Sequence, residues 1–169
     1  PLSELATFCE NGTMLGGHPD RNIPGVEVDS GSLGQGLGVG AGLALCAKMD
    51  HADRKTVVLV GDGECYEGSV WEAAMFAGHH QLGNLTVVVD RNRQCVTDFT
   101  EDCVRLEPLA AKWDAFGWEV RSVDGHSCEE ILKTLQPISN RRDDKPLAII
   151  ANTIKGRGIS FMERQLHWH

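Results

Sequence analysis

The chain has 169 residues, of which 41% are hydrophobic, and a formal net charge of −8. This is the length of one domain, and it suffices to bury roughly two thirds of the surface that the unfolded chain exposes. The negative charge argues against nucleic acid as a partner, because binding to phosphate backbones depends on clustered Lys and Arg. The sequence has neither an apolar run long enough to cross a bilayer nor a signal-peptide pattern, so we expect a soluble, cytoplasmic protein with no membrane partner.

Six cysteines occur at positions 9, 46, 65, 95, 103 and 128, without a C-x-x-C pair. This spacing is not that of a zinc site. Because a chain of this size can form a good core and carries no secretory signal, we expect reduced, buried thiols and no disulfides.

A small, apolar segment with glycines at positions 34, 36, 38, 40 and 42 predicts a buried helix over residues 33–48. Each glycine costs a helix roughly 0.5–1 kcal/mol relative to alanine, so their number indicates close approach of another backbone or of a ligand. Tight packing alone is one explanation. The other, a dinucleotide-binding loop, requires a G-x-G-x-x-G register that the segment does not have.

The rest of the chain alternates between strand and helix patterns. Apolar runs predict strands over residues 56–60, 85–90, 118–123 and 146–151. Helical spacing predicts helices over residues 64–80, 107–116 and 128–136, with a polar loop through residue 100 and an exposed turn over residues 140–145. This alternation predicts an α/β fold, a parallel sheet with helices on both faces, formed as a single domain without repeats or linkers.

Two oxygen-bearing side chains follow neighbouring predicted strands. Asp62, within Gly61-Asp62-Gly63, comes after the first strand, and Asn92 comes after the second. Ligands of parallel sheets bind beyond the carboxyl ends of strands, and Mg²⁺ prefers a few oxygen ligands together with the phosphates of its partner. The glycines leave room for a phosphate, and a helix beginning near Glu64 would direct its N–H groups there, so we expect a Mg²⁺-bound diphosphate. The alternative is that each motif is only a turn.

The segments Gly61-Asp62-Gly63-Glu64 and Val89-Asp90-Arg91-Asn92 together resemble the thiamine-diphosphate motif of transketolases. Other segments resemble this family in the same order, and together they cover nearly the whole chain: Gly17-His18-Pro19, residues 31–36, residues 67–72, Ala115-Phe116-Gly117-Trp118, Val123-Asp124-Gly125-His126, residues 154–158 and Trp168-His169. The resemblance implies the thiamine-diphosphate-binding fold. It also implies a transferase of carbohydrate metabolism that moves a two-carbon ketol unit from a ketose phosphate to an aldose acceptor.

The resemblance implies three ligands for Mg²⁺, with Ca²⁺ or Mn²⁺ as substitutes. Asp62 and Asn92 would bind the ion through side-chain oxygens, and Gln94 would bind it through its backbone carbonyl. Family members usually carry an apolar residue at the position of Gln94, a difference that a main-chain ligand tolerates.

The resemblance also implies which residues contact the diphosphate. Gly61, Gly63 and Asn92 would lie against it, and Lys155 and His169 would reach it from a late loop. A cation and an imidazole N–H both favour a bound anion. Without the family, Lys155 is equally well explained as a solvated loop lysine.

Residues nearer the reacting end of the cofactor are implied in the same way. Gly31-Ser32-Leu33 would contact its rings, and the catalytic residues would be His18, Glu67 and His169. His18 would transfer a proton or bind a substrate hydroxyl, as its near-neutral pKa allows. Glu67 would join a carboxylate network between paired active sites. His167 lies two residues from His169, and either one could be the residue that contacts the cofactor.

We expect residues 1–169 to form one diphosphate-binding domain that lacks the family's upstream segment and its pyrimidine-binding and C-terminal domains. Such a chain would be inactive alone and would need the pyrimidine-binding domain or subunit, in a homo- or hetero-oligomer. Pentose phosphates are the expected substrates, and a specialised or sulfonated sugar is the alternative. Other open interpretations are a non-catalytic cofactor-binding or assembly module, a deoxyxylulose-phosphate synthase, and a 2-oxo acid dehydrogenase subunit, although Glu67-Gly68 and Trp168-His169 favour transketolase over the last.

Overall fold

The computed structural model describes residues 2–136, 138 and 144–168. Its centre is a sheet of four parallel strands in the order β1-β2-β4-β3. The strands are β1 (Thr56–Gly61), β2 (Leu85–Arg91), β3 (Glu119–Asp124) and β4 (Leu147–Asn152). The predicted α/β class is therefore confirmed, and each strand lies within one residue of the range that the sequence predicts.

Within the described residues, five α-helices connect and cover the strands: α1 (Gln35–Met49), α2 (Gly68–His79), α3 (Thr100–Cys103), α4 (Leu109–Ala115) and α5 (Cys128–Leu135). Short 3-10 helices cover Leu2–Thr7, Gly63–Tyr66 and Leu166–Trp168. The sequence did not predict α3, which lies at the end of the polar loop. Of the predicted exposed turn over residues 140–145, residues 140–143 lie outside the described part of the chain.

The predicted start of the second helix near Glu64 is wrong. Residues Gly63–Tyr66 form a single 3-10 turn, and α2 begins only at Gly68. Glu67 separates the two because its backbone is extended, with φ −70° and ψ 126°. The N-terminus of α2 is therefore displaced by one turn from the end of β1.

Alternate residues of the strands face opposite sides of the sheet. Val87, Val89 and Ile150 belong to a core that includes buried residues of α1, α2 and α4. Val88 and Ile149 belong to a second cluster, which includes Leu135 of α5. Helices on both faces explain why β2 is a continuous apolar run, as is typical of a strand buried on both sides.

Two of the glycines are needed because helices approach other elements closely. A Cβ atom on Gly40 of α1 would lie 2.3 Å from Cγ2 of Val58, and one on Gly78 of α2 would lie 1.9 Å from the backbone oxygen of Phe116. Gly38 and Gly42 of α1, by contrast, have nothing within 4 Å of the same position. Tight packing therefore explains Gly40 but not every glycine of α1.

The strand register brings the polar strand ends to one edge. Gly61 pairs with Asp90, and Arg91 pairs with Asn152. Thr153, immediately after β4, donates a side-chain hydrogen bond to Asp90. The same edge therefore carries the residues that follow β1, β2 and β4. Over the described part of the chain, no helix has both the length and the apolar character that crossing a membrane requires.

Replacing Gly78 with alanine should destabilise the fold by about 1–3 kcal/mol, because the new methyl group meets a backbone atom that cannot rotate away. The matched control is Gly38→Ala, which should be neutral or stabilising by up to about 1 kcal/mol because the helix gains a better helix former in open space. Urea unfolding of both variants measures the difference. Equal stabilities for the two variants would contradict the packing described for α2.

Candidate functional site

A pocket of about 430 Å³ lies at the carboxyl edge of the sheet. Its wall includes eight of the residues that the sequence predicts for the site: Leu33, Gly61, Asp62, Gly63, Glu67, Asn92, Gln94 and Lys155. They come from the start of α1, the end of β1, the loop after β2 and the loop after β4. The strands are parallel, and for that reason residues so distant in sequence meet at one edge.

Asp62 is fully buried, and its carboxylate is held by three donors. Its Oδ1 accepts the N–H of Gly63 at 2.8 Å, and its Oδ2 accepts Nη1 of Arg91 at 2.7 Å and the N–H of Arg93 at 2.6 Å. A carboxylate can accept about four hydrogen bonds or ligands. Oδ1, with a single donor, therefore retains the capacity to bind a cation.

Arg91 joins the site to the loop that follows it. Its side chain is 3% exposed, and besides Asp62 it donates to Thr100 Oγ1 at 2.9 Å and to Glu107 Oε1 at 2.8 Å. A third carboxylate, that of Glu101, lies 3.4 Å away. Burial works to lower the pKa of Arg91, but the hydrogen bonds with Glu107 and Asp62 outweigh it and the pKa is raised.

Sequence reasoning missed this arginine because Asp90-Arg91-Asn92 is locally typical of a polar turn. The position of Arg91 in the strand could have revealed it. Alternate residues of a strand face the same side, and the other residues of β2 on the side of Arg91 are buried. A buried charge requires opposite charges around it, and four acidic or hydroxyl partners of Arg91 lie within the described residues.

Asn92 and Gln94 form a fixed turn after β2. Asn92 Oδ1 accepts the N–H of Gln94 at 2.9 Å, and Asn92 Nδ2 donates to Asp90 at 3.1 Å. The side-chain amide of Gln94 is buried, and neither its oxygen nor its nitrogen has a hydrogen-bond partner among the described residues. Such orphaned polar atoms are expensive in an apolar core, and the residue that carries them here lines the pocket.

The donor set suits a hard cation. The carboxylate of Asp62, the amide oxygen of Asn92 and the backbone carbonyl of Gln94 are all oxygen donors, which Mg²⁺ prefers. A Cβ atom built on Gly63 would lie 3.2 Å from Cβ of Cys95 and 3.5 Å from the carbonyl oxygen of Gln94. The loop after β1 and the loop after β2 therefore meet at Gly63, where a side chain would force them apart.

Glu64 ties the start of α1 to the end of β1. Its Oε1 accepts the N–H of Gly34 at 2.8 Å, and its Oε2 accepts the N–H of Gly61 at 3.2 Å. Gly34 has a positive φ of 81°, and a Cβ there would lie 2.6 Å from Cβ of Glu67. Ser69 adds a hydrogen bond to the Gly34 carbonyl at 2.9 Å. Burial, assisted by the charges of Asp62 and Glu64, raises the pKa of the neighbouring Cys65 thiol to about 12.

His18 lies against Gly31, where a Cβ atom would be 3.1 Å from the imidazole Cδ2. The structure therefore brings together two residues that the sequence assigns to one site. Among the described residues, however, neither of them lines the pocket, and Ser32 does not line it either, whereas Leu33 does and is half exposed. Glu67 lines the pocket from an exposed position before α2.

Lys155 lines the pocket from the loop after β4. The loop folds back on itself, since Arg164 donates its N–H to the Lys155 carbonyl at 3.2 Å, and a Cβ on Gly156 would lie 2.7 Å from the backbone of Met162. His167 is exposed within the last 3-10 helix. His169 lies outside the described residues.

The cysteines differ from the prediction. All six are free thiols, as expected, but only Cys65 is buried, while four are exposed and Cys95 is half buried. Cysteine is buried on average, but the exposed cysteines of this chain lie in loops or on helix surfaces.

A parallel α/β sheet whose strand ends surround one pocket with a buried carboxylate, two amides and a lysine carries the kinds of group that a phosphorylated, metal-associated ligand would require. The chain belongs to the transketolase family: the model of the family's domain, described as transketolase, thiamine diphosphate binding domain, matches residues 1–169. The resemblance stated from the sequence is thus confirmed.

The relatives include subunits of specialised transketolases. The chain is 46% identical over 163 residues to one subunit of the apulose-4-phosphate transketolase of Phocaeicola vulgatus, covering 96% of this chain and 58% of that protein. It is 44% identical over 170 residues to a 6-deoxy-6-sulfo-D-fructose transketolase subunit of Clostridium sp., covering 100% of this chain and 62% of that protein. The chain therefore spans about three fifths of the length of these curated relatives.

The crystal structure of transketolase from Campylobacter jejuni has the same fold, with a TM-score of 0.87 at 32% sequence identity. The match covers 99% of this chain and 27% of that one. The agreement extends over nearly the whole chain, so the fold is that of one part of a transketolase.

Glu107→Gln should make stability less sensitive to acid. The backbone N–H of Leu109 and the Arg91 guanidinium hold the pKa of Glu107 below its ordinary value. A depressed pKa in the folded state means that ionised Glu107 stabilises the fold above its unfolded pKa of about 4.3, and that this contribution is lost as the pH falls through the folded pKa.

Urea unfolding of Glu107→Gln should therefore show a loss of about 1 kcal/mol near neutral pH, small because the carboxylate is half exposed. The loss should shrink as the pH falls from neutral through the folded pKa of Glu107. Glu129→Gln, which removes an exposed pair with Lys133, should change stability much less at any pH. A constant difference between wild type and Glu107→Gln across this pH range would contradict the assignment.

Proposed function

We propose that this chain is the diphosphate- and Mg²⁺-binding part of a thiamine-diphosphate-dependent transketolase. The enzyme would transfer a two-carbon ketol unit from a ketose phosphate to an aldose acceptor. The observation that carries the proposal is the convergence of Asp62, Asn92, Gln94 and Lys155 on one pocket in a chain of this family.

Mg²⁺ would be held by Asp62, Asn92 and the carbonyl of Gln94, with Ca²⁺ or Mn²⁺ as substitutes. Asp62 is suited to this role because Arg91 and Arg93 fix its Oδ2, which leaves Oδ1 available to the ion. The Asn92 oxygen already accepts one N–H, and a carbonyl oxygen has a second lone pair for a metal.

The diphosphate would lie against Gly61 and Gly63 and beside Lys155. Lys155 supplies a positive charge in an otherwise acidic chain, and the glycines allow the backbone to approach a phosphate. We assign His169 a second contact to the diphosphate on the strength of the family resemblance, with His167 as the alternative.

The remaining roles concern the reacting end. Bound thiamine diphosphate supplies the carbon–carbon bond chemistry, and the protein positions it and moves protons. Gly31, Ser32 and Leu33 would contact the rings, and His18, held against Gly31, would transfer a proton or bind a substrate hydroxyl. Glu67, exposed at the pocket, would join a carboxylate network between paired active sites.

A partner that carries the pyrimidine-binding domain would complete the site, in a cytoplasmic homo- or hetero-oligomer. Two observations support this: several relatives are named as transketolase subunits, and the matched region is about a quarter of the transketolase from Campylobacter jejuni. The names of those subunits also favour a sugar phosphate or a sulfonated sugar as substrate.

Lys155→Met should weaken Mg²⁺-dependent binding of thiamine diphosphate about tenfold to a hundredfold, because a charge-assisted contact to the anion is lost. Calorimetric titration of the chain with the cofactor, with and without Mg²⁺, measures the effect. Lys133→Met on α5, far from the pocket lining, removes the same charge and should leave the affinity unchanged. If Lys155→Met and Lys133→Met bind thiamine diphosphate with equal affinity, Lys155 is not a diphosphate ligand.

The chain alone should bind the cofactor without turning over a ketose phosphate and an aldose acceptor. Adding the complementary pyrimidine-binding chain should restore transfer, because that chain supplies the other half of the cofactor site. Efficient transfer by the chain alone would refute the need for a partner. Binding to the partner with no transfer under any condition would instead identify an assembly module.

A further inference from the structure

Two cysteines face each other on the wall of the pocket. Cys95 Sγ and Cys103 Sγ are 3.3 Å apart, and both residues line the pocket together with Asn92 and Gln94. Cys103 is exposed and Cys95 is half buried. Neither cysteine has a role in the proposed transferase chemistry.

The local fold explains why residues eight apart in sequence meet. Gln94 and Phe99 form an isolated antiparallel bridge, so the chain reverses direction between them, and Cys95 donates its N–H to the Asp98 carbonyl at 2.9 Å. One turn of helix follows, in which Cys103 donates its N–H to the Phe99 carbonyl at 3.2 Å. The reversal and the turn together place the last residue of α3 beside Cys95.

A metal site does not explain the pair. In the described part of the chain, no group of three or more His, Cys, Asp or Glu side chains is arranged to hold a metal ion. Zinc requires about four ligands, of which two thiols would supply only half. Two adjacent thiols can instead be oxidised to a disulfide.

We propose that Cys95 and Cys103 are a reversible dithiol switch, oxidised by hydroperoxides to a disulfide that lowers the affinity of the adjacent pocket for its cofactor. A disulfide bond measures about 2.05 Å, so the sulfurs need to approach by only about 1.2 Å. Rotation of the side chain of Cys103, at the exposed end of a single helical turn, supplies part of this movement.

With hydrogen peroxide as the hydroperoxide, the oxidation needs no further reactant. One sulfur, as its thiolate, attacks a peroxide oxygen, the O–O bond breaks, and the second oxygen leaves as hydroxide, which takes up the proton that the thiol lost and becomes water; the sulfur is now a sulfenic acid. The other thiol then attacks that sulfur, the S–O bond breaks, and a second water leaves. The two thiols lose two electrons and two protons, and the peroxide is reduced to water. A dithiol reductant reverses the change by thiol–disulfide exchange.

The disulfide would disturb the pocket through Gly63 and Gln94. Cβ of Cys95 lies 3.2 Å from the position of a Cβ on Gly63, and Cys95 directly follows Gln94, whose carbonyl is a proposed ligand. In the reduced protein the Cys95 thiol donates a hydrogen bond to the Asp98 carbonyl at 3.1 Å, and oxidation removes this bond. This effect on cofactor binding rests on the proposed function, whereas the disulfide itself does not.

The test begins with the fully reduced 169-residue chain and hydrogen peroxide. The intact mass should fall by two hydrogen atoms, and peptide mapping should find one link, between Cys95 and Cys103, that dithiothreitol removes. Cys103→Ser should abolish the link, whereas Cys128→Ser, which removes an exposed cysteine on α5, should leave it intact. Intermolecular dimers or sulfinic acids in place of this link would overturn the proposal.

Calorimetric titration of the oxidised and reduced chains with thiamine diphosphate and Mg²⁺ then measures the effect on the pocket. We expect oxidation to weaken cofactor binding at least fivefold and reduction to restore it. In Cys103→Ser, treatment with peroxide should leave the affinity for the cofactor unchanged. Equal affinity of the linked and reduced chains would overturn the switch. Failure of the reduced chain to bind the cofactor at all would count against the proposed function, and peptide mapping would still decide whether the disulfide forms.

Discussion

The buried ion pair between Asp62 and Arg91 holds together the part of the molecule that binds ligands. Both side chains are almost fully enclosed, and their 2.7 Å contact links the turn after β1 to the last residue of β2. Removing one partner of such a pair typically costs about 3–5 kcal/mol, because the other charge is left buried and unpaired. Arg91 also holds Thr100 and Glu107, so the position of the Asp62 carboxylate and the order of the loop beyond Asn92 depend on the same guanidinium.

The strands could be predicted almost to the residue because each is a β-branched run buried by its neighbours, a pattern that depends little on distant contacts. The start of α2, by contrast, could not be predicted from local sequence. Glu64 has the composition of a first helical turn, but its carboxylate accepts two N–H groups from Gly34 and Gly61, and the chain needs an extended residue at Glu67 before a helix can begin. The hydrogen bond between Gly34 and Glu64 joins residues thirty apart in the sequence, and helix propensity depends only on neighbouring residues, so it does not predict this contact.

The candidate site was predictable to the extent that it depends on strand ends. Asp62, Asn92 and Lys155 meet because they follow β1, β2 and β4, and parallel strands bring such residues to one edge. Arg91 was missed because Asp90-Arg91-Asn92 is locally typical of a polar turn, and because its partners are distant in sequence from one another, from Asp62 to Glu107. The dithiol pair was missed for a related reason: a chain reversal at Gln94 and Phe99 and a four-residue helix create it, and neither leaves a pattern in the sequence.

The bridge made by Glu64 gives α1 and β1 a common attachment point. One carboxylate accepts the N–H that opens α1 at Gly34 and the N–H that closes β1 at Gly61, and Ser69 of α2 holds the same glycine from the other side. The end of β1, which lines the pocket at Gly61, and the beginning of a fifteen-residue helix are therefore joined through a single carboxylate. The position of α1 relative to the pocket thus depends on one acidic side chain that contacts both.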